Sequence, residues 1–235
     1  LNLRKEVIDL LAEWNGEMSI YLPQPLIFYT WAAQFQKMVM QDEIGKNVNW
    51  FNSVNSNFLE RVLRNINGAS AWCDIKQTSK LETCEEISSK ALDNALVTIA
   101  NKYGQDIKKW LWGNYHKAYF SDKVLGKYPI ISYLTNIVFE VSGGDDTLSM
   151  NRAISSTNNN YNVNYGSTLR IIIDFSSNAN NFFSIPTGQS GHFLSKHYDD
   201  FTNLWLRNEY VKIPLFEDEI LDKKIYLMLI TKSVD

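Results

Sequence analysis

Apolar residues recur at helical spacing along the first half of the chain. The pattern predicts four helices, over residues 4–14, 25–38, 51–66 and 82–103. In the fourth, Leu92, Leu96 and Ile99 fall on one stripe, and Gly104 follows directly after Tyr103. A glycine just past the last periodic residue is typical of a helix C-terminus. The sequence therefore predicts a mainly helical region over residues 1–140.

The second predicted helix differs from the others because it is apolar on nearly every side. From residue 25 it reads Pro-Leu-Ile-Phe-Tyr-Thr-Trp-Ala-Ala-Gln-Phe-Gln-Lys-Met. A surface helix keeps one polar face, whereas a helix that is apolar all round is buried. We therefore expect residues 25–38 to run through the core.

After residue 140 the pattern changes to short segments separated by turns. The run Gly143-Gly144-Asp145-Asp146 is a turn signal, and residues 155–160 form a polar loop. Stretches rich in β-branched and aromatic residues predict strands over residues 167–176, 181–185 and 224–231. A short helix is predicted over 195–208, with Ser195 as its N-cap. The region 141–235 is thus a mixture of strands and helix, and the fold class predicted for the whole chain is α+β.

Composition and charge narrow the classes of partner. The chain has 235 residues, a net charge of -3 and no cluster of basic residues, so nucleic acid is not an expected partner. Its apolar runs are far shorter than the roughly 20 residues of a membrane span, which predicts a soluble protein without a membrane segment. Seven Trp, twelve Tyr and twelve Phe form a large aromatic load that must be buried in a core or against a partner.

A catalytic triad is one interpretation of the polar residues near the C-terminal end. It would use Ser190 as nucleophile, His192 or His197 as base, and Asp145, Asp199 or Asp200 as the orienting carboxylate. However, Gly188-Gln-Ser-Gly191 departs from the nucleophile-elbow pattern, because its second glycine directly follows the serine. A tight turn in which Gln and Ser bind the backbone is the favoured interpretation.

The sequence gives little support for a metal site or for acid-base catalysis by paired carboxylates. The three histidines, His116, His192 and His197, lack the spacing of zinc motifs, so we expect no metal site and no cofactor. The adjacent pairs Asp145-Asp146 and Asp199-Asp200 are ordinary turn or cap residues, and neighbours in a turn usually point apart. Neither pair is expected to carry out acid-base catalysis.

Cys73 and Cys84 are the only cysteines. A continuous helix would hold them roughly 16 Å apart, which is beyond disulfide reach. The residues between them are polar and typical of a loop, so the chain can double back and bring the sulfurs together. On these grounds the pair is either a disulfide or two separate buried thiols.

Several motifs in order resemble the C-terminal part of the β chain of the penicillin acylase (penicillin amidase) family of N-terminal nucleophile hydrolases, which includes acylhomoserine lactone acylases. The matching pieces are Leu10–Gly16, Trp72-Cys73-Asp74, Glu82-Thr83-Cys84, Trp110–His116, Gly143-Gly144 with Thr147, Tyr165–Asp174, Thr187–Gly191, His197–Asp200 and Trp205. The resemblance covers roughly residues 7–216.

The resemblance implies hydrolysis of an amide bond between an acyl group and an amine, through an acyl-enzyme formed on the N-terminal residue of the β chain. Leu1 has no hydroxyl or thiol, so the nucleophile is expected upstream, and no catalytic residue of the family is expected in this chain. The implied partners are an upstream β-chain segment, the α chain of the same precursor and a small acylated amine. The resemblance also implies a Cys73–Cys84 disulfide and a periplasmic or secreted location.

A second interpretation is a non-catalytic remnant or structural module of a split acylase gene. The absent N-terminal nucleophile is compatible with both interpretations. They differ in what precedes Leu1 in the gene, either an open frame with a cleavage-site serine or a stop codon.

Overall fold

The computed structural model describes residues 2–51, 53–153, 161–176 and 180–213. The chain divides into two compact units, residues 1–167 and 168–235, and each unit is described here by itself. Helices and small antiparallel sheets are both present, which confirms the α+β class. The division into a helical region 1–140 and a mixed region 141–235 stays a prediction.

The four predicted helices are all present in the first unit. They are α1 (Asn2–Ala12), α2 (Gln24–Ile44), α3 (Ser56–Leu63) and α4 (Cys84–Tyr103). Helix α3 is shorter than the predicted span of 51–66. Asn55 caps its first turn by accepting a hydrogen bond from Phe58 N, and the chain leaves the helix where Asn65 and Asn67 adopt left-handed φ angles of 52° and 58°.

Helix α2 runs through the core, as its apolar sequence predicts. Within residues 25–38 only Phe28 and Lys37 are exposed. The N-terminal half of α2 packs with the C-terminal half of α4 in one buried cluster, and the opposite halves pack in a second. The two helices are therefore antiparallel neighbours, and α2 supplies the centre of both clusters.

Helix α4 ends at Tyr103 as predicted and begins at Cys84, two residues after the predicted start. Thr83 Oγ1 accepts a hydrogen bond from Glu86 N, and the Glu86 carboxylate accepts one from Thr83 N, which forms a capping box. The helix ends before Gly104, whose φ is 82°. Ile87, Leu96 and Ile99 are buried on the predicted stripe.

Cys73 and Cys84 form a disulfide, as the family resemblance implies, with Cα atoms 5.1 Å apart. The loop between them doubles back around the buried carboxylate of Glu82. That carboxylate accepts hydrogen bonds from Ile75 N at 3.1 Å and from Thr78 Oγ1 at 2.9 and 3.0 Å. The bonds to Glu82 therefore close the loop beside the sulfur bridge.

Two small antiparallel sheets complete the described part of the first unit. Strands β1 (Lys117–Phe120) and β2 (Ile137–Glu140) pair with each other, after the short helix α5 (Trp112–Tyr115) and around the short helix α6 (Pro129–Thr135). Strands β3 (Asn151–Ala153) and β4 (Val163–Gly166) form the second pair, with a register shift between Arg152 and Ala153. The predicted polar loop 155–160 lies outside the described residues.

The second unit contains a three-stranded antiparallel sheet in the order β5 (Arg170–Ile172), β6 (Phe182–Ser184) and β7 (Val211–Lys212). The first two strands fall inside predicted strand segments but are shorter. The Arg170 guanidinium lies 4.2 Å from the Trp205 ring centroid and donates a hydrogen bond to Trp205 O. The predicted strand 224–231 lies outside the described residues.

The predicted helix over residues 195–208 is wrong in its first half. Only α7 (Thr202–Leu206) is helical, and Phe201, not Ser195, occupies its N-cap position. The carbonyls of His197 and Tyr198 accept hydrogen bonds from Ser190 N and Gly188 N, residues that lie earlier in the chain, whereas a helical carbonyl is bound by the amide four residues later. Tertiary pairing of the backbone therefore replaces the local helix.

None of the helices in the described ranges is long and apolar enough to cross a membrane.

Replacing both cysteines by serine is expected to lower the free energy of unfolding by about 3 kcal/mol, because the bridge closes a short loop in the unfolded chain. Guanidinium unfolding of the wild type and of Cys73→Ser/Cys84→Ser, each with and without dithiothreitol, measures the loss. The reductant should destabilise the wild type by a similar amount and leave the double variant unchanged. Equal midpoints for the oxidised and reduced wild type would contradict the prediction.

Candidate functional site

Buried hydroxyl groups tie α2 to β3 and to the residues just before β4. Tyr29 Oη donates to Ala153 O at 2.7 Å and lies 3.2 and 3.3 Å from the two carboxylate oxygens of Asp145. Asp145 Oδ1 also accepts from Ala153 N. Thr30 Oγ1 and Tyr161 Oη are hydrogen-bonded at 2.7 Å. These buried groups satisfy one another, so they act as a polar joint inside the apolar core.

Burial has the largest effect on the pKa values of Tyr29 and Asp145. Desolvation raises the pKa of the Tyr29 hydroxyl, and the neighbouring Asp145 carboxylate raises it further. Desolvation also raises the pKa of Asp145, although the hydrogen bond from Ala153 N acts in the opposite direction. Asp146 is exposed, so the adjacent Asp145-Asp146 pair does not place two carboxylates in one site. This arrangement indicates a structural role for Asp145.

His116 is fully buried and both of its ring nitrogens face backbone carbonyls. Nδ1 lies 2.7 Å from Val141 O and Nε2 lies 2.9 Å from Asn151 O, while the Trp112 ring stacks on the imidazole with centroids 4.3 Å apart. Desolvation lowers the pKa of His116, and the two carbonyls offset part of that effect by favouring the protonated form. The side chain therefore joins the end of β2 to the start of β3.

A metal site made from the three histidines is not supported. Both nitrogens of His116 are already engaged by carbonyl oxygens. Nowhere in the described ranges do three or more His, Cys, Asp or Glu side chains group closely enough to hold a metal ion. The expected absence of a cofactor stays a prediction.

The turn between β2 and β3 is fixed by its backbone. Gly143 has a φ of 94°, and a Cβ at this position would lie 2.1 Å from Ser149 O. Its N–H donates to Met18 O at 2.7 Å, and its carbonyl accepts from Trp112 Nε1 at 2.9 Å. The Gly143-Gly144 motif thus fits a position where only glycine can approach so closely.

In the second unit, residues 188–190 pair with residues 197–198. Gly188 N donates to Tyr198 O at 2.7 Å, and Ser190 N donates to His197 O at 2.9 Å. A Cβ on residue 188 would lie 1.9 Å from His197 O. His197 Nδ1 lies 2.8 Å from Asp200 Oδ2, which orients the imidazole within the same turn. This segment is a closed turn with a histidine-aspartate pair at its surface.

The structure does not assemble the hypothetical triad. Ser190 Oγ accepts a hydrogen bond from His192 N at 3.1 Å, and His192 Nδ1 accepts one from Leu194 N at 3.2 Å. Within the ranges that the structure describes, no hydrogen bond joins Ser190 Oγ to an imidazole nitrogen. Of the other two candidate carboxylates, Asp145 is engaged by Tyr29 and Ala153, and the backbone carbonyl of Asp199 accepts a hydrogen bond from Thr202 N. The turn interpretation of Ser190 therefore agrees with the geometry.

Sequence reasoning missed the joint between Tyr29 and Asp145. The available signal was a pair of hydroxyl residues, Tyr29 and Thr30, inside an otherwise apolar predicted helix. Buried hydroxyls must find partners, so their presence predicts polar contacts in the core. It does not predict that Asp145, Ala153 and Tyr161 provide them.

Gly188→Ala is expected to destabilise the protein by about 3 kcal/mol, because a methyl group cannot fit 1.9 Å from His197 O without breaking the backbone pairing. Gly191→Ala is the matched control, since a Cβ there would meet nothing within 4 Å. Thermal unfolding of the two variants compares them, and the control should stay within about 0.5 kcal/mol of the wild type. Similar losses in both variants would argue against the close approach.

His116→Gln is expected to remove part of the acid sensitivity of the fold. Burial places the pKa of folded His116 below its unfolded value of 6.5, so the unfolded chain binds the proton more readily. The stabilising contribution is present above pH 6.5 and is lost as the pH falls through the folded pKa. Thermal melts at several pH values between about 5 and 8 should show a smaller acid-induced drop for the variant than for the wild type. An identical pH dependence would contradict this assignment.

The chain is similar in sequence to known proteins. The sequence model described as penicillin amidase matches residues 2–222. Curated relatives include the acyl-homoserine lactone acylase QuiP of Pseudomonas syringae pv. tomato, 25% identical over 91% of this chain and 27% of the relative. The QuiP of Pseudomonas aeruginosa is 21% identical over 93% of this chain and 28% of the relative. The chain thus spans little more than a quarter of the length of these relatives.

A solved structure supports the fold. The thermostable penicillin G acylase from Alcaligenes faecalis superposes with a TM-score of 0.55 and 18% sequence identity, over 99% of this chain and 43% of that chain. Because the family match extends over nearly all residues, this chain belongs to the penicillin amidase family.

Proposed function

We propose that this chain is part of a penicillin-amidase-type hydrolase that cleaves an acyl group from an amine, and that the nucleophile belongs to polypeptide outside residues 1–235. The observation that carries the proposal is that the candidate nucleophile and a candidate histidine are already bound to the backbone of this chain. Ser190 Oγ binds the backbone of its own turn, and both nitrogens of His116 face carbonyls. The family match supplies the reaction class.

The proposed substrate is a small acylated amine. The relatives are named as acyl-homoserine lactone acylases and the structural neighbour as a penicillin G acylase, which favours an amide bond between an acyl group and an amine. In the proposed reaction, a hydroxyl nucleophile outside this chain attacks the amide carbonyl. The amine leaves with a proton, and water then releases the acyl group as a carboxylic acid. Residues 1–235 would support the site without touching the reacting atoms.

The proposed partners are the remaining polypeptide of the same precursor, an upstream β-chain segment and an α chain. The share of 27% of the relative's length supports this part of the proposal. A periplasmic or secreted location is proposed as well, because a structural disulfide persists in an oxidising compartment.

The alternative function is a structural module of a split acylase gene without catalysis. The backbone contacts of Ser190 and His116 are compatible with this alternative as well. The two candidates differ in the gene, since an open upstream frame with a cleavage-site serine supports the enzyme, whereas a stop codon supports the module.

Amide hydrolysis tests the proposed function. Residues 1–235 alone should release no amine from an N-acyl-homoserine lactone or from penicillin G above the buffer rate. The polypeptide expressed from the complete natural frame should hydrolyse one of these amides, and replacing its N-terminal nucleophile by alanine should reduce turnover by about 10³-fold or more. Ser190→Ala in the same enzyme is the control and should keep turnover within about 3-fold, because that side chain only binds its own turn. Turnover by residues 1–235 that disappears in Ser190→Ala would overturn the proposal.

A further inference from the structure

The segment that runs from the last residues of β1 to the first residues of β2 exposes an unusual amount of apolar surface. We call residues 119–138 the apolar arm. Eight of its large apolar side chains are exposed: Tyr119, Val124, Tyr128, Ile130, Ile131, Tyr133, Leu134 and Val138. A single aromatic side chain can bury about 150–250 Å², so the arm reaches the several hundred Å² at which an exposed patch marks a binding surface.

Helix α6 is the centre of the apolar arm and has the composition of a buried helix. Its sequence, Pro-Ile-Ile-Ser-Tyr-Leu-Thr, has no charged residue. Ile130, Tyr133 and Leu134 are nevertheless 84%, 89% and 63% exposed, and only Thr135 is buried. A helix that is apolar around its circumference is normally enclosed. The exposed side chains of α6 therefore fit a surface that covers more than one of its faces.

Four polar side chains of the arm bind within the arm itself, while Lys123 and Lys127 are exposed. The Asp122 carboxylate accepts hydrogen bonds from Val124 N and Leu125 N, and Asn136 Oδ1 accepts one from Asp122 N. Ser132 Oγ and Thr135 Oγ1 donate to carbonyls within α6. These bonds fix the shape of the arm and leave the apolar groups outward. A preformed shape reduces the entropy lost on binding.

Gly126 gives an independent indication of this fixed shape. A Cβ at residue 126 would lie 2.2 Å from Asn136 Oδ1, and Asn136 Nδ2 donates to Gly126 O. The middle of the arm and the residue that follows α6 are thus held together by a close contact. The arm projects as a closed unit between the paired strands β1 and β2.

We propose that the apolar arm is the docking element for the part of the acylase polypeptide that lies outside residues 1–235, and that its occupant is an apolar cleft in that polypeptide. This inference rests on the proposed function. The arm lies inside the family match of residues 2–222, so it belongs to the family fold. This chain covers only 27% of the first relative, and the missing length can supply the cover. A second copy of the chain and a membrane surface are the competing occupants.

Cysteine labelling in the complete enzyme tests the arm. The native pair is disulfide-bonded, so one introduced cysteine is the only free thiol among the described residues. Tyr133→Cys reports on α6, and Val97→Cys, at a position 59% exposed on α4, is the matched control. In the enzyme from the complete natural frame, a maleimide should label Tyr133→Cys at least 100-fold more slowly than in urea. Val97→Cys should slow by less than about 10-fold.

The possible results distinguish a failure of the docking inference from a failure of the proposed function. An enzyme that hydrolyses the amide but labels Tyr133→Cys as fast as Val97→Cys overturns the docking inference and leaves the proposed function standing. A complete polypeptide that protects Tyr133→Cys but hydrolyses nothing supports docking and contradicts the proposed function. Protection that depends on protein concentration, or that requires anionic vesicles, overturns the inference in favour of a second copy or a membrane.

Two further variants keep the inference testable if Tyr133→Cys prevents assembly of the enzyme. Tyr133→Ser should then also prevent assembly, whereas Tyr133→Phe should restore the processed enzyme, because it keeps the apolar ring. Size-exclusion chromatography of the processed chains measures the recovery. Failure of Tyr133→Phe together with normal assembly of Tyr133→Ser would overturn the inference.

Discussion

The architecture of residues 1–167 depends on the burial of α2. This helix supplies side chains to both apolar clusters of the unit, with Leu26 and Ile27 in one and Phe35 and Val39 in the other. Burial on most sides creates a requirement that an amphipathic helix avoids, because any polar group on α2 needs a partner in the core. Gln36 meets it by binding the backbone at Ser53 and Asn55. The loop before α3 is therefore positioned by a polar residue of α2.

The same requirement organises the chain far beyond α2. Tyr29 reaches Ala153 and Asp145, more than 100 residues later in the sequence. Their position fixes the end of β3, and His116 joins the start of that strand to the end of β2. The hydrogen bond of a buried hydroxyl adds little net stability to the fold. Leaving that hydroxyl without a partner, however, lowers the free energy of unfolding by about 1–3 kcal/mol. Buried polar side chains such as Tyr29 therefore contribute mainly by specifying which segments of the chain pack together.

The sequence indicated the elements whose causes are local. Helix α4 combines a capping box, an apolar stripe and a terminal glycine, so its bounds follow from neighbouring residues. The disulfide followed from the family resemblance, because spacing left two interpretations open. The segment 195–201 has helical periodicity, but the amides of Gly188 and Ser190 bind its carbonyls, a tertiary effect that periodicity does not contain. The contact of Tyr29 with Asp145 was hidden for the same reason.

Several residues that carry the family resemblance lie at positions where the geometry leaves little freedom. Gly143 and Gly188 lie where a Cβ would overlap a carbonyl oxygen, and Trp112 stacks on a histidine whose two nitrogens both face the backbone. Such positions have few acceptable side chains whatever chemistry occurs nearby. A polar motif containing Ser190 and His197 can therefore identify a fold without catalysing a reaction. Geometry, and not residue type alone, decides whether a serine beside two histidines is a nucleophile or part of a turn.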